Sequence, residues 1–178
     1  MKITIIRHGK VNMKWKSWYT SEQFDKDCSN YDISPICLID EEIENDIQDE
    51  IYISTLKRSQ ETAERLFGKK EFIKTELLNE VPLKSGFDCN KSLPLWFWNI
   101  VGRVQWLLGN NRQLEGKRVT KKRADQLVEK LLQQNKDCIL ISHGFYMGTL
   151  VKEFKQYGFK IDKNKLGFSN LERIIAEK

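Results

Sequence analysis

Short apolar runs alternate along this chain with longer amphipathic ones, and the alternation leaves few folds open. Residues 2–6 (Lys-Ile-Thr-Ile-Ile), 50–54 (Glu-Ile-Tyr-Ile-Ser) and 137–142 (Asp-Cys-Ile-Leu-Ile-Ser) predict buried strands, with 71–75 as a weaker fourth. Between them the period lengthens. Leu56, Ser59, Ala63, Leu66 and Phe67 share one face of a predicted helix that Gly68 stops, and Leu93, Trp96, Phe97, Ile100, Val104, Leu107 and Leu108 keep helical spacing over 93–108. Ala124, Leu127, Val128, Leu131 and Leu132 mark another helix, and 145–158 one more, ending at Gly158. The acidic stretch 39–50 predicts a helix with a solvated face. Strands alternating with helices predict an α/β three-layer sandwich: a mostly parallel sheet with helices on both faces.

No repeat or low-complexity linker interrupts the pattern, so 1–178 predicts a single domain, long enough for a real core. Thirty basic against 25 acidic residues leave a net charge of +5, which favours small anionic ligands. The basic residues are too scattered to predict a nucleic-acid partner. Their densest run, 117–123, is expected to be solvated at a helix start. Cys28, Cys37, Cys89 and Cys138 form no C-x-x-C pair, nothing resembles a signal peptide, and no run is long enough to span a membrane. A cytoplasmic protein with reduced thiols is expected, with Cys138 in the core. The two histidines lie far apart and near no cysteine cluster, so no metal or cofactor is expected.

Ligands of such sheets bind beyond the carboxyl ends of the strands. The polar residues there are unusual. The first strand runs into Arg7-His8-Gly9, the second into Ser54-Thr55-Leu56-Lys57-Arg58, and the third into Ser142-His143-Gly144. If these strands are neighbours, one pocket holds two imidazoles and two guanidiniums. Arginine forks and helix N-termini bind phosphate. A neutral imidazole can attack phosphorus while a second donates hydrogen bonds to the developing charge. Glu80, in Leu-Leu-Asn-Glu-Val-Pro, is the candidate proton donor if burial keeps it protonated, with Glu76 and Asp88 as nearby alternatives. Arg58 has a plainer alternative, pairing with Glu61 or Glu64 on a helix surface, and Ser54 and Ser142 one as simple caps.

Taken in order, "IIRHGK", "ISTLKRSQETAE", "LNEVP" and "ISHG" resemble the histidine phosphatase superfamily, the phosphoglycerate-mutase-like fold, over residues 2 to about 155. The resemblance implies that His8 is transiently phosphorylated and that Arg7, Arg58 and His143 complete the phosphate pocket, with Gly144 and Lys10 at its edge. It makes Glu80 the proton donor and then the base that activates water. The chain departs from the family pattern at Lys10 and Val11, where many relatives carry Glu or Gln and then Thr or Ser, and across "SPICLIDEEIEN". It is also short for a mutase, which favours a phosphatase acting on a small phosphorylated metabolite. Residues 14–50 and 84–116 are the expected substrate-side segments, with Lys14, Arg103 and Arg112 as candidate contacts. The alternatives are a mutase-type phosphotransferase, a protein phosphohistidine phosphatase, and a catalytically silent phosphate- or RNA-binding module.

Overall fold

The computed structural model describes residues 1–39, 50–163, 167 and 169–178. The acidic stretch expected as a helix falls almost wholly on 40–49, outside the described residues. In chain order the elements are β1 (Lys2–Arg7), β2 (Trp18–Tyr19), α1 (Ser21–Ile33), β3 (Glu50–Ile53), α2 (Lys57–Phe67), β4 (Ile73–Lys74), a 3-10 turn (Glu76–Leu78), β5 (Leu93–Pro94), α3 (Leu95–Leu108), α4 (Lys117–Gln134), β6 (Cys138–Ser142), α5 (Gly144–Gln156), β7 (Lys160–Ile161) and β8 (Arg173–Glu177).

The main sheet has the order β4-β3-β6-β1-β8-β7. Its first four strands are parallel, while β8 runs antiparallel to β1 and to β7. Alternation along each strand divides the core in two. Ile3, Ile5, Cys138, Leu140, Ile174 and Ala176 face α4 and α5, whose Ala124, Leu127, Val128, Leu131, Leu150 and Phe154 complete that layer. Ile6, Ile51, Ile53, Ile139 and Ile141 face α2, through Ala63, Leu66 and Phe67. Side chains buried on both faces are what a helix-covered parallel sheet requires. The three-layer α/β expectation is met.

Three details differ from the sequence reading. Helix α1 follows a capping box between Thr20 and Gln23. It was not expected, because only Ser21 and Phe24 along it are buried. Strands β2, β5, β7 and β8 were also not foreseen, and β5 takes Leu93 and Pro94 from the start of the expected 93–108 helix. In α3 the expected apolar face is the wrong one: Trp96, Ile100, Val104, Leu107 and Leu108 are exposed, while Trp98 and Gly102 are buried. Trp98 packs against Phe24 and Phe97, and its indole N–H donates to the Tyr19 carbonyl at 3.0 Å. Burying one indole stabilises the docking of α3 by about 5 kcal/mol. Gly102 sits against Leu83 and the Lys84 carbonyl, so α3 docks through one large ring and one missing side chain. No helix among the described residues is long and apolar enough to cross a membrane.

Candidate active site

Register decides which side chains meet. Arg7 lies opposite Ser142 across β1 and β6, and Ile53 opposite Ile141 across β3 and β6. The residues that follow, His8, His143 and Ser54, therefore leave the sheet together at its carboxyl edge, and all are buried. The two imidazoles stand 5.0 Å apart, centroid to centroid.

His8 is held on every side of its backbone. Its N–H donates to the Ser142 carbonyl, its carbonyl accepts from the Asn170 side chain at 2.9 Å, and the following Gly9 N–H donates to Thr62 Oγ1. On the ring, Nδ1 lies 2.7 Å from the Gly9 carbonyl. A carbonyl only accepts, so Nδ1 carries the proton and the lone pair of the neutral ring is on Nε2. Burial, with Arg58 and then Arg7 adding positive charge, lowers the pKa from 6.5 to about 3 against the opposing bond to Gly9. The ring is neutral at physiological pH.

Arg58 is 1% exposed, in the first turn of α2, and does not take the helix-surface alternative. Glu61 pairs with Lys57 and accepts from the Ile36 N–H, while Glu64 accepts from Gln60. Arg58 donates through Nε to His143 Nδ1 at 3.1 Å and through Nη1 to Asp32 Oδ1 at 2.8 Å, with its Cζ 4.9 Å from the centre of the Tyr31 ring. Because Nδ1 accepts, the proton of neutral His143 is on Nε2, where Ser54 Oγ takes it at 2.7 Å. Burial, followed by the charge of Arg58, puts the His143 pKa well below its ordinary value. The expected free N–H of His143 is thus committed to Ser54 here, and the ring orients Arg58. Asp32 and Tyr31 were missed in the sequence, since no local pattern ties α1 to Arg58.

Arg7 is different. Its Nε is buried and has no hydrogen-bond partner among the described residues. The guanidinium passes directly over Gly144, where a Cβ would stand 2.9 Å from both Nε and Cζ. The glycine after His143 thereby leaves room for the arginine before His8. A buried donor without a partner costs about 1–3 kcal/mol, a cost an anion at this place would remove.

Glu80 closes the site, half-buried rather than buried as its proton-donor role was expected to require. Its carboxylate accepts from the Phe145 N–H at 3.3 Å and the Tyr146 N–H at 3.0 Å, in the first turn of α5, and from its neighbour Val81 at 2.9 Å. Oriented N–H groups at a helix start seat a carboxylate in the way they seat phosphate.

A family model described as the histidine phosphatase superfamily (branch 1) matches residues 3–172. The chain belongs to this superfamily. No curated protein is close enough in sequence to count as a match. Among solved structures, a mycobacterial glucosyl-3-phosphoglycerate phosphatase superposes with a TM-score of 0.59 at 14% identity, over 98% of this chain and 88% of that one. A phosphoserine phosphatase from Entamoeba histolytica, crystallised with phosphoserine, gives 0.58 at 19% identity, over 98% and 89%. A phosphoglycerate mutase from Bacillus anthracis gives 0.57 at 18%, over 99% and 88%. At these identities the likeness is one of fold.

The superfamily fold places the remaining expected residues unevenly. Lys10 and Lys14 are exposed. Arg103, on α3, lies 3.6 Å over the Phe145 ring, donates to the Val81 carbonyl and is within electrostatic reach of Glu80. Arg112 donates to Ser85 and pairs with Asp88, so it staples the 85–88 loop. The basic run 117–123 is not wholly solvated, because the Arg123 side chain is only 14% exposed.

Proposed function

We propose that this member of the superfamily is a cytoplasmic phosphomonoesterase that hydrolyses a small phosphorylated metabolite through a phosphohistidine on His8, without a metal. The observation that carries the reading is the tautomer of His8: with Nδ1–H tied to the Gly9 carbonyl, the lone pair on Nε2 is available at neutral pH. Arg7, whose Nε has no partner among the described residues, and Arg58 supply the positive charge for the phosphate. In the first step His8 Nε2 bonds to phosphorus, the bond from phosphorus to the alcohol oxygen breaks, and Glu80, which enters the step in its protonated form, gives that oxygen its proton. In the second step water attacks, Glu80 takes its proton, and the bond between phosphorus and nitrogen breaks to release phosphate. His143 acts by holding Arg58. The chain works as one domain, with the described part of 14–50 and with 84–116 on the substrate side, and Arg103 the best-placed of the candidate contacts.

The test is hydrolysis of p-nitrophenyl phosphate from about pH 5 to about pH 8, with EDTA present, alongside His8→Ala and Glu80→Gln. Turnover that survives EDTA, disappears in His8→Ala and passes through an acid-labile phosphoprotein is the expected result. Turnover retained by His8→Ala, or lost on chelation, overturns it. Relatives crystallised with phosphoserine and 3-phosphoglyceric acid make phosphorylated small acids the first natural esters to try.

A further inference from the structure

Glu80 hangs from a short loop, and every backbone carbonyl from 76 to 79 in that loop accepts a hydrogen bond from a distant side chain. Arg123 Nη1 reaches those of Glu76 at 3.3 Å, Leu77 at 3.1 Å and Asn79 at 2.7 Å, while Ser142 Oγ takes that of Leu78 at 3.1 Å. The other arm of Arg123, Nη2, meets both oxygens of Glu115 at 3.1 Å. Both side chains are mostly buried, at 14% and 12% exposure. The guanidinium also lies 4.2 Å from the centre of the Tyr146 ring, and the Tyr146 N–H is one of the donors to Glu80.

We propose that Arg123, braced by Glu115, is a positioning residue for the reaction: it fixes the loop and the helix start between which the Glu80 carboxyl is held. Its two ends explain why an arginine stands here. The planar fork bonds the loop carbonyls on one side and a carboxylate on the other, while its flat face covers the ring of Tyr146, three tasks that one ammonium cannot perform. A carboxyl that transfers a proton in the transition state must sit within hydrogen-bond reach of the departing oxygen, so looseness in this loop affects that step and leaves phosphate binding alone.

This inference rests on the proton-donor role proposed for Glu80, and leaving-group dependence separates the two. A p-nitrophenolate leaves with little help, whereas an alkoxide needs a proton. The experiment measures kcat/KM for p-nitrophenyl phosphate and for an alkyl ester, glycerol 2-phosphate, in wild type, Glu80→Gln, Arg123→Met, Arg123→Lys and Glu115→Gln. Inhibition by inorganic phosphate and thermal melting are followed in parallel. Arg123→Met is expected to lose roughly tenfold or more beyond its loss on the aryl ester when the alkyl ester is used. Its phosphate inhibition should be unchanged, Arg123→Lys partly restored, and Glu115→Gln affected in the same sense. Equal losses on both esters in Arg123→Met and Glu115→Gln, or none, overturn the inference. If Arg123→Met does not fold, Arg123→Lys and Glu115→Gln decide the matter by the same ratio. Losses in Glu80→Gln, relative to wild type, that are equal on the two esters refute the role of Glu80 itself.

Discussion

Replacing Gly144 by alanine tests the phosphate pocket through a single methyl group. The new Cβ would lie 2.9 Å from Arg7 Nε and Cζ and 3.3 Å from Nη2. Carbon contacts settle at about 3.5–4.0 Å, so the guanidinium must retreat by about 0.6 Å or more. Hydrogen bonds to oxygen span a window of only about 0.5 Å. A shift of that size breaks or bends one charge-assisted bond to a bound phosphate, worth about 1.5–3 kcal/mol, or roughly tenfold to a hundredfold in affinity. Stability should hardly change, because the clash meets the far end of a long side chain and alanine suits a helix. Gly148 is the internal control: it lies in the same helix, and a Cβ there meets nothing within 4 Å among the described residues. Calorimetric titration with inorganic phosphate should show Gly144→Ala weakened by at least about tenfold and Gly148→Ala unchanged. Equal binding in both would refute the placement of phosphate against Arg7.

The other expectations follow from the same neighbourhood. Folding lowers the His8 pKa from its ordinary 6.5 to about 3, so the unfolded chain takes up a proton first as pH falls. Stability is then fully present above 6.5 and is lost toward 3, by about 1.4 kcal/mol per pH unit from this ring. Denaturant unfolding in phosphate-free buffer at about pH 7 and about pH 5 should show a smaller pH dependence in His8→Ala than in wild type, and equal dependence would refute the assignment. Asp32→Asn removes a negative charge that shares Arg58 with the incoming dianion, while His143 and Tyr31 still hold the guanidinium. Inorganic phosphate should inhibit it more tightly, by roughly threefold to tenfold, and weaker inhibition would show that Asp32 aligns Arg58 instead. Arg112→Ala cuts the staple to Ser85 and Asp88. It should lower the melting temperature by about 2–4 °C and leave kcat/KM on p-nitrophenyl phosphate nearly unchanged. A large loss of kcat/KM at unaltered stability would return Arg112 to the substrate-contact role expected from the sequence.

Much of this protein was legible without coordinates, for local reasons. A strand buried on both faces shows itself in its own apolar run, as in β1 and β6. A strand end that carries Arg-His-Gly or Ser-His-Gly shows itself in three letters. The alternation of elements implies a parallel sheet but not its strand order, and it is the observed pairing of β1 with β6 that brings His8 and His143 together. Helix α3 was misread because periodicity finds an apolar stripe and cannot say whether a neighbour covers it; the stripe of Trp96, Ile100 and Val104 faces out, and Trp98 anchors the helix. The same limit hid Asp32, Asn170 and Arg123. Each is a common polar residue in an unremarkable stretch, and each acquires its place only through a partner 26 to 162 positions away: Asp32 on Arg58, Arg123 on the loop of Glu80, Asn170 on the His8 carbonyl. Chemistry carried by adjacent residues is written into the sequence by their order. Chemistry that depends on how a side chain is held is decided by the packing of distant elements, because a hydrogen bond has a reach of about 3 Å in space and no fixed reach along the chain.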